Sequence, residues 1–229
     1  MFKKLLIAVL PFGVLVLLCS AIVKQNGIAG RTGSPGESNC RSCHSDFALN
    51  SGGGSITIQS PGTPGFQYTP GQTYSMSVTV AQSSINLFGV GIEALNSSNI
   101  NAGTLSNVNS NLHVLTAGNG RTNLVHSTNG GASSNSKVFS FSWLAPVAGT
   151  GNVTFYFAGV AANGNNSDGG DWVYTGTQIF TEAACAAPAQ PGTISGNVIV
   201  CNGDAPTYSI SAVAGATSYT WTLPVGWTG

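Results

Sequence analysis

The chain has 229 residues, of which only 6% are charged, and seven Lys or Arg balance seven Asp or Glu to a net charge of zero. Nucleic-acid binding needs clustered cations that displace counterions from phosphates, so seven scattered ones exclude a nucleic-acid partner. Glu, Lys and Arg, the usual surface of helices, are scarce, whereas β-branched and turn-forming residues abound, so the expectation is an exported all-β protein with neutral loops.

Met1-Phe2-Lys3-Lys4 precedes an apolar run, Leu5 to Leu18, and small residues through Ala21. That is the layout of a secretory signal peptide over residues 1–21, with a retained membrane anchor as the alternative. Cys19 invites a lipid attachment, but Leu18 stands where that processing needs a small residue. Export puts the remaining cysteines in an oxidising compartment, where disulfides and covalent cofactor attachment both occur.

Residues 22–55 show almost no hydrophobic period and are rich in Gly, Ser, Pro and Cys, which reads as a loop-rich segment in need of a staple. From there short β-type runs follow: Ile56–Ile58, Tyr74–Val80, Phe88–Leu95, Val138–Trp143 and Val153–Val160. Pro61-Gly62, Pro70-Gly71, Asn119-Gly120, Asn129-Gly130 and Asn163-Gly164 supply turns between them. With no amphipathic helix in between, residues 56–182 predict an antiparallel β-sandwich of the immunoglobulin type. Residues 183–192, rich in Ala and Pro, read as a linker. Within 193–229, Thr193–Cys201, Thr207–Ile210 and Ser218–Leu223 predict three strands. Three strands do not close a sandwich, so this tail reads as the front of a second Ig-like module, and the chain as part of a longer protein.

Cys40-Arg41-Ser42-Cys43-His44 carries the chemistry. Cys-x-x-Cys-His in an exported chain is the pattern of c-type haem attachment: two thiols bond the two vinyl groups of one porphyrin, and the next imidazole ligates the iron. Zinc would need a fourth ligand beside Cys40, Cys43 and His44, and a plain disulfide is the blander alternative. For the sixth position on the iron, the candidates are Met76, His113 and His126. Met76 lies in an alternating strand, as core methionines do, and His113 in Asn111–Leu115 has the setting of an ordinary strand histidine. An open position would favour gas or peroxide chemistry, and bis-His ligation an electron carrier.

Gly33–Glu37, Tyr68–Gly71, Phe88–Ala94, Phe141–Pro146 and Gly151–Tyr156 together resemble the reelin N-terminal (Reeler) domain. They resemble more closely its bacterial relative, the choice-of-anchor V domain of Bacteroidota surface proteins, over about residues 30–182 as far as Asn163–Asn165 and Gly170–Tyr174. The resemblance implies an immunoglobulin-like sandwich outside the cell. The animal domain lacks the full Cys-x-x-Cys-His, whereas the bacterial form carries it. In the bacterial pattern a Thr-rich strand ends in His, which favours His126, within Arg121–Thr128, as the distal ligand. Pro191–Gly196 and Ala214–Pro224 resemble the PKD-like repeats of large Bacteroidota adhesins, which implies a sorting and anchoring signal elsewhere in such a protein.

Two weaker constellations remain. Asn163, Asn165, Asp168 and Asp171 form an oxygen-rich Gly loop that could take calcium, although the spacing is not that of an EF-hand and such residues also build ordinary turns. Cys185 and Cys201 flank the linker and could form a disulfide. No nucleophile motif and no pair of glycosidase acids appears. The expected function is a redox carrier at the cell surface, with one covalent haem c and an unnamed electron partner, stacking with other copies if it carries electrons over distance. The alternative is an adhesin or structural module with disulfide-bonded cysteines and a Thr- and Asn-rich face for a glycan.

Overall fold

The computed structural model describes residues 26–128, 131–184 and 188–226. The expected signal peptide, the Asn129-Gly130 turn and Cys185 lie outside them. None of the described helices is long and apolar enough to cross a membrane. The chain divides into two compact units, one reaching Ala183 and one beginning at Ala184.

The first unit is a sandwich of two sheets, as the alternating runs predict. Its strands are β1 (Ser55–Gln59), β2 (Gln67–Tyr68), β3 (Thr73–Ala81), β4 (Leu87–Leu95), β5 (Thr104–Asn107), β6 (Leu112–Thr116), β7 (Thr122–His126), β8 (Ser136–Leu144), β9 (Val153–Ala162) and β10 (Trp172–Glu182). One sheet has the order β1-β3-β8-β5 and the other β2-β10-β9-β4-β7-β6. All pairings are antiparallel except the two-residue β2, which runs parallel to the end of β10. β10 carries no strict alternation, and Gly176 interrupts it. That glycine faces Phe157 across the ladder, and a Cβ there would collide with the Phe157 ring.

Between the sheets, Met76, Val78 and Val80 of β3 and Phe139, Phe141 and Trp143 of β8 pack on Val90, Ile92, Phe155 and Phe157 of the larger sheet. Trp143 is central. Tyr68, Phe155 and Phe180 meet it edge-on at 5.2, 5.0 and 5.6 Å, and its Nε1–H donates to Ala102 O at 3.0 Å. The buried indole thus finds a partner for its one polar group.

β4 departs from the half-buried pattern, because from Phe88 to Leu95 it is buried on both faces. The second cover is the loop-rich segment from Asn26 to Asn50, which crosses the outer face of the larger sheet. Gly30 N–H donates to Asn123 Oδ1 of β7, Ser34 Oγ–H donates to Glu93 Oε2 of β4, and Asn50 N–H donates to Val173 O of β10.

The second unit corrects one expectation. Thr193–Cys201, Thr207–Ile210 and Ser218–Leu223 do not form strands among the described residues, and the only ladder contact there is an antiparallel bridge between Ser195 and Ser209. Val198 and Ile199 stay 98% and 83% exposed. Strand-like sequence needs an apolar face to bury before pairing becomes stable, and these side chains find none.

Candidate cofactor site

The Cys-x-x-Cys-His motif is held by local turns before any long-range contact. A bridge between Thr32 and Asn39 closes a loop over Ser34–Ser38, with Gly33 N–H donating to Ser38 O at 2.9 Å. Asn39 then caps a short 3-10 turn over Cys40–Ser42, accepting from Arg41 N–H, and both Cys43 N–H and His44 N–H donate to Cys40 O. An Asn cap with a tight turn is the local chemistry that places two thiols and an imidazole within one turn of chain. Arg41 folds back and donates to Phe47 O at 2.8 Å, and Phe47 stacks on Trp172 at 3.7 Å.

A polar network fastens this segment to the sheet. Glu93, fully buried on β4, accepts from Ser34 Oγ at 2.6 Å, and Arg121 Nη2–H donates to the same Ser34 Oγ at 2.9 Å. Arg121 Nε also lies 3.0 Å from Glu93 Oε1, a charge contact without the alignment of a hydrogen bond. Burial raises the Glu93 carboxyl above its ordinary range, against the hydrogen bond from Ser34. Burial also pushes Glu37 up, but hydrogen bonds from Thr32, Asn119 and Asn123 outweigh it, and its carboxyl ends below the ordinary range.

On the outer face of the same sheet, at the start of β4 and the end of β9, is a cavity of about 170 Å³. Gly89, Val160 and Ala162 line it from the sheet. His44 and Asp171 line it from one side, and His126 and Ser127 from another. The proximal and distal histidines expected from the sequence therefore meet at one cavity. His44 Nδ1 lies 2.7 Å from Asp171 Oδ2, and the Asp171 side chain is 1% exposed. Its other oxygen, Oδ1, accepts from Asn163 N–H at 2.8 Å.

His126 ends β7 where the ladder to β4 stops. The last paired residues are Gly91 with Val125 and Ile92 with Leu124, and beyond them the His126 ring takes the place of a strand. Val90 N–H donates to His126 Nδ1 at 3.1 Å, and Val90 O lies 3.3 Å from the same nitrogen. Gly27 N–H also faces the ring, 3.4 Å from Nε2, and a neutral ring accepts at only one of its two nitrogens. Gly89 makes room for the ring, because a Cβ there would stand 2.8 Å from His126 Cε1. Burial holds the His126 imidazole below its ordinary pKa, and the nearby His113 and His44 add to the effect.

The other candidates lie elsewhere. Met76 is 3% exposed in the core between the sheets, as its alternating strand suggests. His113, on β6, pairs through Nδ1 with Ser127 Oγ at 3.2 Å and does not line the cavity. Cys40 and Cys43 are not joined to each other and do not line the cavity either. Cys43 is exposed, and burial pushes the Cys40 thiol up to about 12. A thiol that resists ionisation suits neither a zinc thiolate nor a redox nucleophile. The described residues hold no cluster of three or more His, Cys, Asp or Glu side chains that could enclose a metal ion. In the Gly loop, Asn163 Oδ1 and Asn165 Oδ1 accept from backbone N–H groups of Asn165 and Ser167, and Asp171 is committed to His44 and Asn163. Cys201 is exposed in the second unit, and its expected partner Cys185 falls outside the described residues. Two contributors escaped the sequence reading in their actual roles: Asp171, read as a calcium oxygen, and Gly89, read as one residue of a strand. The alternation of glycines with apolar residues in Phe88–Gly91 was the available signal for the second.

Residues 187–229 match the PKD-like domain family. No curated protein matches the chain. Among solved structures, the chain is similar to the Reelin-N domain of F-spondin at 20% identity, covering 63% of this chain and 97% of that one with a TM-score of 0.46. It is similar to the human F-spondin Reeler domain at 20% identity, covering 60% and 96% with a TM-score of 0.44. A cohesin module from a Clostridium perfringens family 33 glycoside hydrolase follows at 10% identity, covering 56% and 96% with a TM-score of 0.41.

Proposed function

We propose that this chain is an exported c-type haem protein of the cell surface, a carrier in electron transfer or redox sensing and not a catalyst, related to the choice-of-anchor V proteins of Bacteroidota. The observation that carries the reading is that His44 of the Cys-x-x-Cys-His motif and His126 at the end of β7, far apart in sequence, line one cavity. Two imidazoles reach the cavity, while Cys40 and Cys43 stand on the turn outside its lining. Cys40 and Cys43 are unpaired thiols on the turn that precedes His44, and each would add its S–H across one vinyl group to form a thioether. A thioether sulfur is neutral, so the buried setting that keeps the Cys40 thiol protonated costs it little. His44, with Nδ1 engaged by Asp171, offers Nε2 as the proximal ligand. His126 would offer Nε2 as a second ligand in the tautomer that carries its proton on Nδ1, facing Val90 O. Bound there, haem supplies a one-electron ferric/ferrous couple.

The protein, made in a host competent in cytochrome c maturation and then denatured, should retain haem absorbance and stain for peroxidase activity on a gel. Cys40→Ala/Cys43→Ala should remove both signals. His126→Ala should turn a low-spin visible spectrum high-spin while the haem stays attached. A colourless wild-type protein rejects the reading. It would favour the second one, a surface-structural or adhesive module, which the PKD-like match over 187–229 supports.

A further inference from the structure

We infer that the outer face of the four-stranded sheet binds a neutral polysaccharide laid along β3 and β8; the inference is independent of the haem reading above. Alternation sends Met76, Val78, Phe139, Phe141 and Trp143 into the core, so the residues between them point away from it. Register then sets the outward side chains in rows. Ser75, Ser142 and Ser106 stand abreast on β3, β8 and β5, and Gln59, Ser77 and Ser140 stand abreast on β1, β3 and β8. None of the outward positions on these four strands carries a charge or an aromatic ring. Among the described residues, no hydrogen bond within the protein engages the hydroxyls of these two rows. Lys137 of β8 has the inward parity of Phe139 and donates to Ala132 O at 3.4 Å.

That composition selects the ligand. A solvent-facing sheet normally carries charges that keep it soluble and keep its edges from pairing, and this face has none. An ionic ligand would find no counter-charge on it, and an apolar one would leave the hydroxyls without partners. A neutral polymer rich in hydroxyls meets both conditions, because each Ser can donate and accept. With no ring for a sugar to stack on, single contacts are weak, and binding comes from many of them along one chain. β3 and β8, nine residues each, give that chain a track of about 30 Å at roughly 3.4 Å per residue. A second copy of the protein is the poorer occupant. Four strands about 4.8 Å apart make a face under about 600 Å², against the roughly 800 Å² that each partner of a stable protein interface buries.

The test is retention of the full chain on suspended cellulose and chitin, both neutral and insoluble, with heparin beads as the anionic control. The wild type should be retained on at least one neutral polymer, equally at low and at molar salt, since no ion pair contributes. Free glucose or N-acetylglucosamine should not displace it. Ser75→Lys/Ser140→Glu, a diagonal pair that leaves the net charge unchanged, should weaken retention tenfold or more. Should that variant not fold, Ser75→Ala/Ser142→Ala removes two hydroxyls of one row and should weaken retention threefold or more. No retention on either neutral polymer, loss of retention in molar salt, displacement by the free sugar, or unaltered retention in the folded variants overturns the inference. So does a wild type that pairs in solution and loses the pairing in the same variants. A coloured protein that is not retained overturns this inference alone, and a colourless protein that is retained overturns the haem reading alone.

Discussion

The two faces of the six-stranded sheet are made by the same strands and built on opposite principles. Facing the other sheet, β4 presents Val90, Ile92 and Ala94, and β9 presents Phe155 and Phe157, all against the Trp143 cluster. Facing outward, the same β4 presents Gly89, Gly91 and Glu93, covered by the segment that carries Cys40, Cys43 and His44. Apolar packing on the inner face is non-directional, so it supplies stability and tolerates neighbours of similar size. Polar packing on the outer face works only when each donor meets its acceptor, so it supplies little net energy and much specificity of path. The sandwich is held from within, and the site is located from without.

The largest effect belongs to the inner face. Trp143→Ala removes a fully buried indole and three edge contacts and should cost about 3–5 kcal/mol in denaturant unfolding. It should lower the midpoint for the whole sandwich in one transition. A loss under about 1 kcal/mol would show that the core is far more plastic than close packing allows.

On the outer face, Glu93→Ala should cost about 3 kcal/mol, the low end for breaking a buried charge pair, since Arg121 keeps Glu37 as a partner. Its signature differs from that of Trp143→Ala. Hydrogen exchange should rise first over residues 30–44, while β3, β8 and β9 stay protected. Uniform loss of protection would erase the distinction between the faces.

The inner face was legible in the sequence because alternation writes it directly: Tyr74–Val80, Val138–Trp143 and Val153–Val160 are strands within a residue or two of their predicted ends. β10 was not legible, because Thr175, Gly176 and Thr177 blur its period. Nor was the short β2, which exists only through its pairing with Thr181 and Glu182. Of the site, Cys40, Cys43 and His44 are a local motif and need no fold to be seen. The convergence of His126 with His44 depends on how β7 ends against β4, and the turn of Asp171 toward His44 depends on the loop before β10. Neither relation leaves a periodic trace. The tail failed in the other direction: Val198 and Ile199 look like strand residues, but strand propensity reports a surface to pack on, and the described chain supplies none.

Gly89→Ala probes where the two faces meet. The added methyl collides with the His126 ring and with Val160 Cγ1, each 2.8 Å from its position, and should cost about 1–3 kcal/mol of overpacking. Under the haem reading it should also partly convert the low-spin spectrum to high-spin, because the ring must swing from Val90. A spectrum unchanged at the same loss of stability would separate His126 from the iron.

The smallest effect is a pH slope, and the network's two carboxylates give it opposite signs. The Glu37 carboxyl lies below its ordinary 4.5 in the fold, so it contributes stability that is full above pH 4.5 and is lost as pH falls through its lower folded value. Glu93 is raised above 4.5, so its contribution is full below pH 4.5 and is lost as pH rises through its higher folded value. Stability measured from pH 3 to 7 should therefore lose its acid limb in Glu37→Gln and gain a steeper one in Glu93→Gln, where the opposing term is gone. Two variants with the same slope would mean that the carboxylates titrate as one group, and that the segment is fastened by its hydrogen bonds alone.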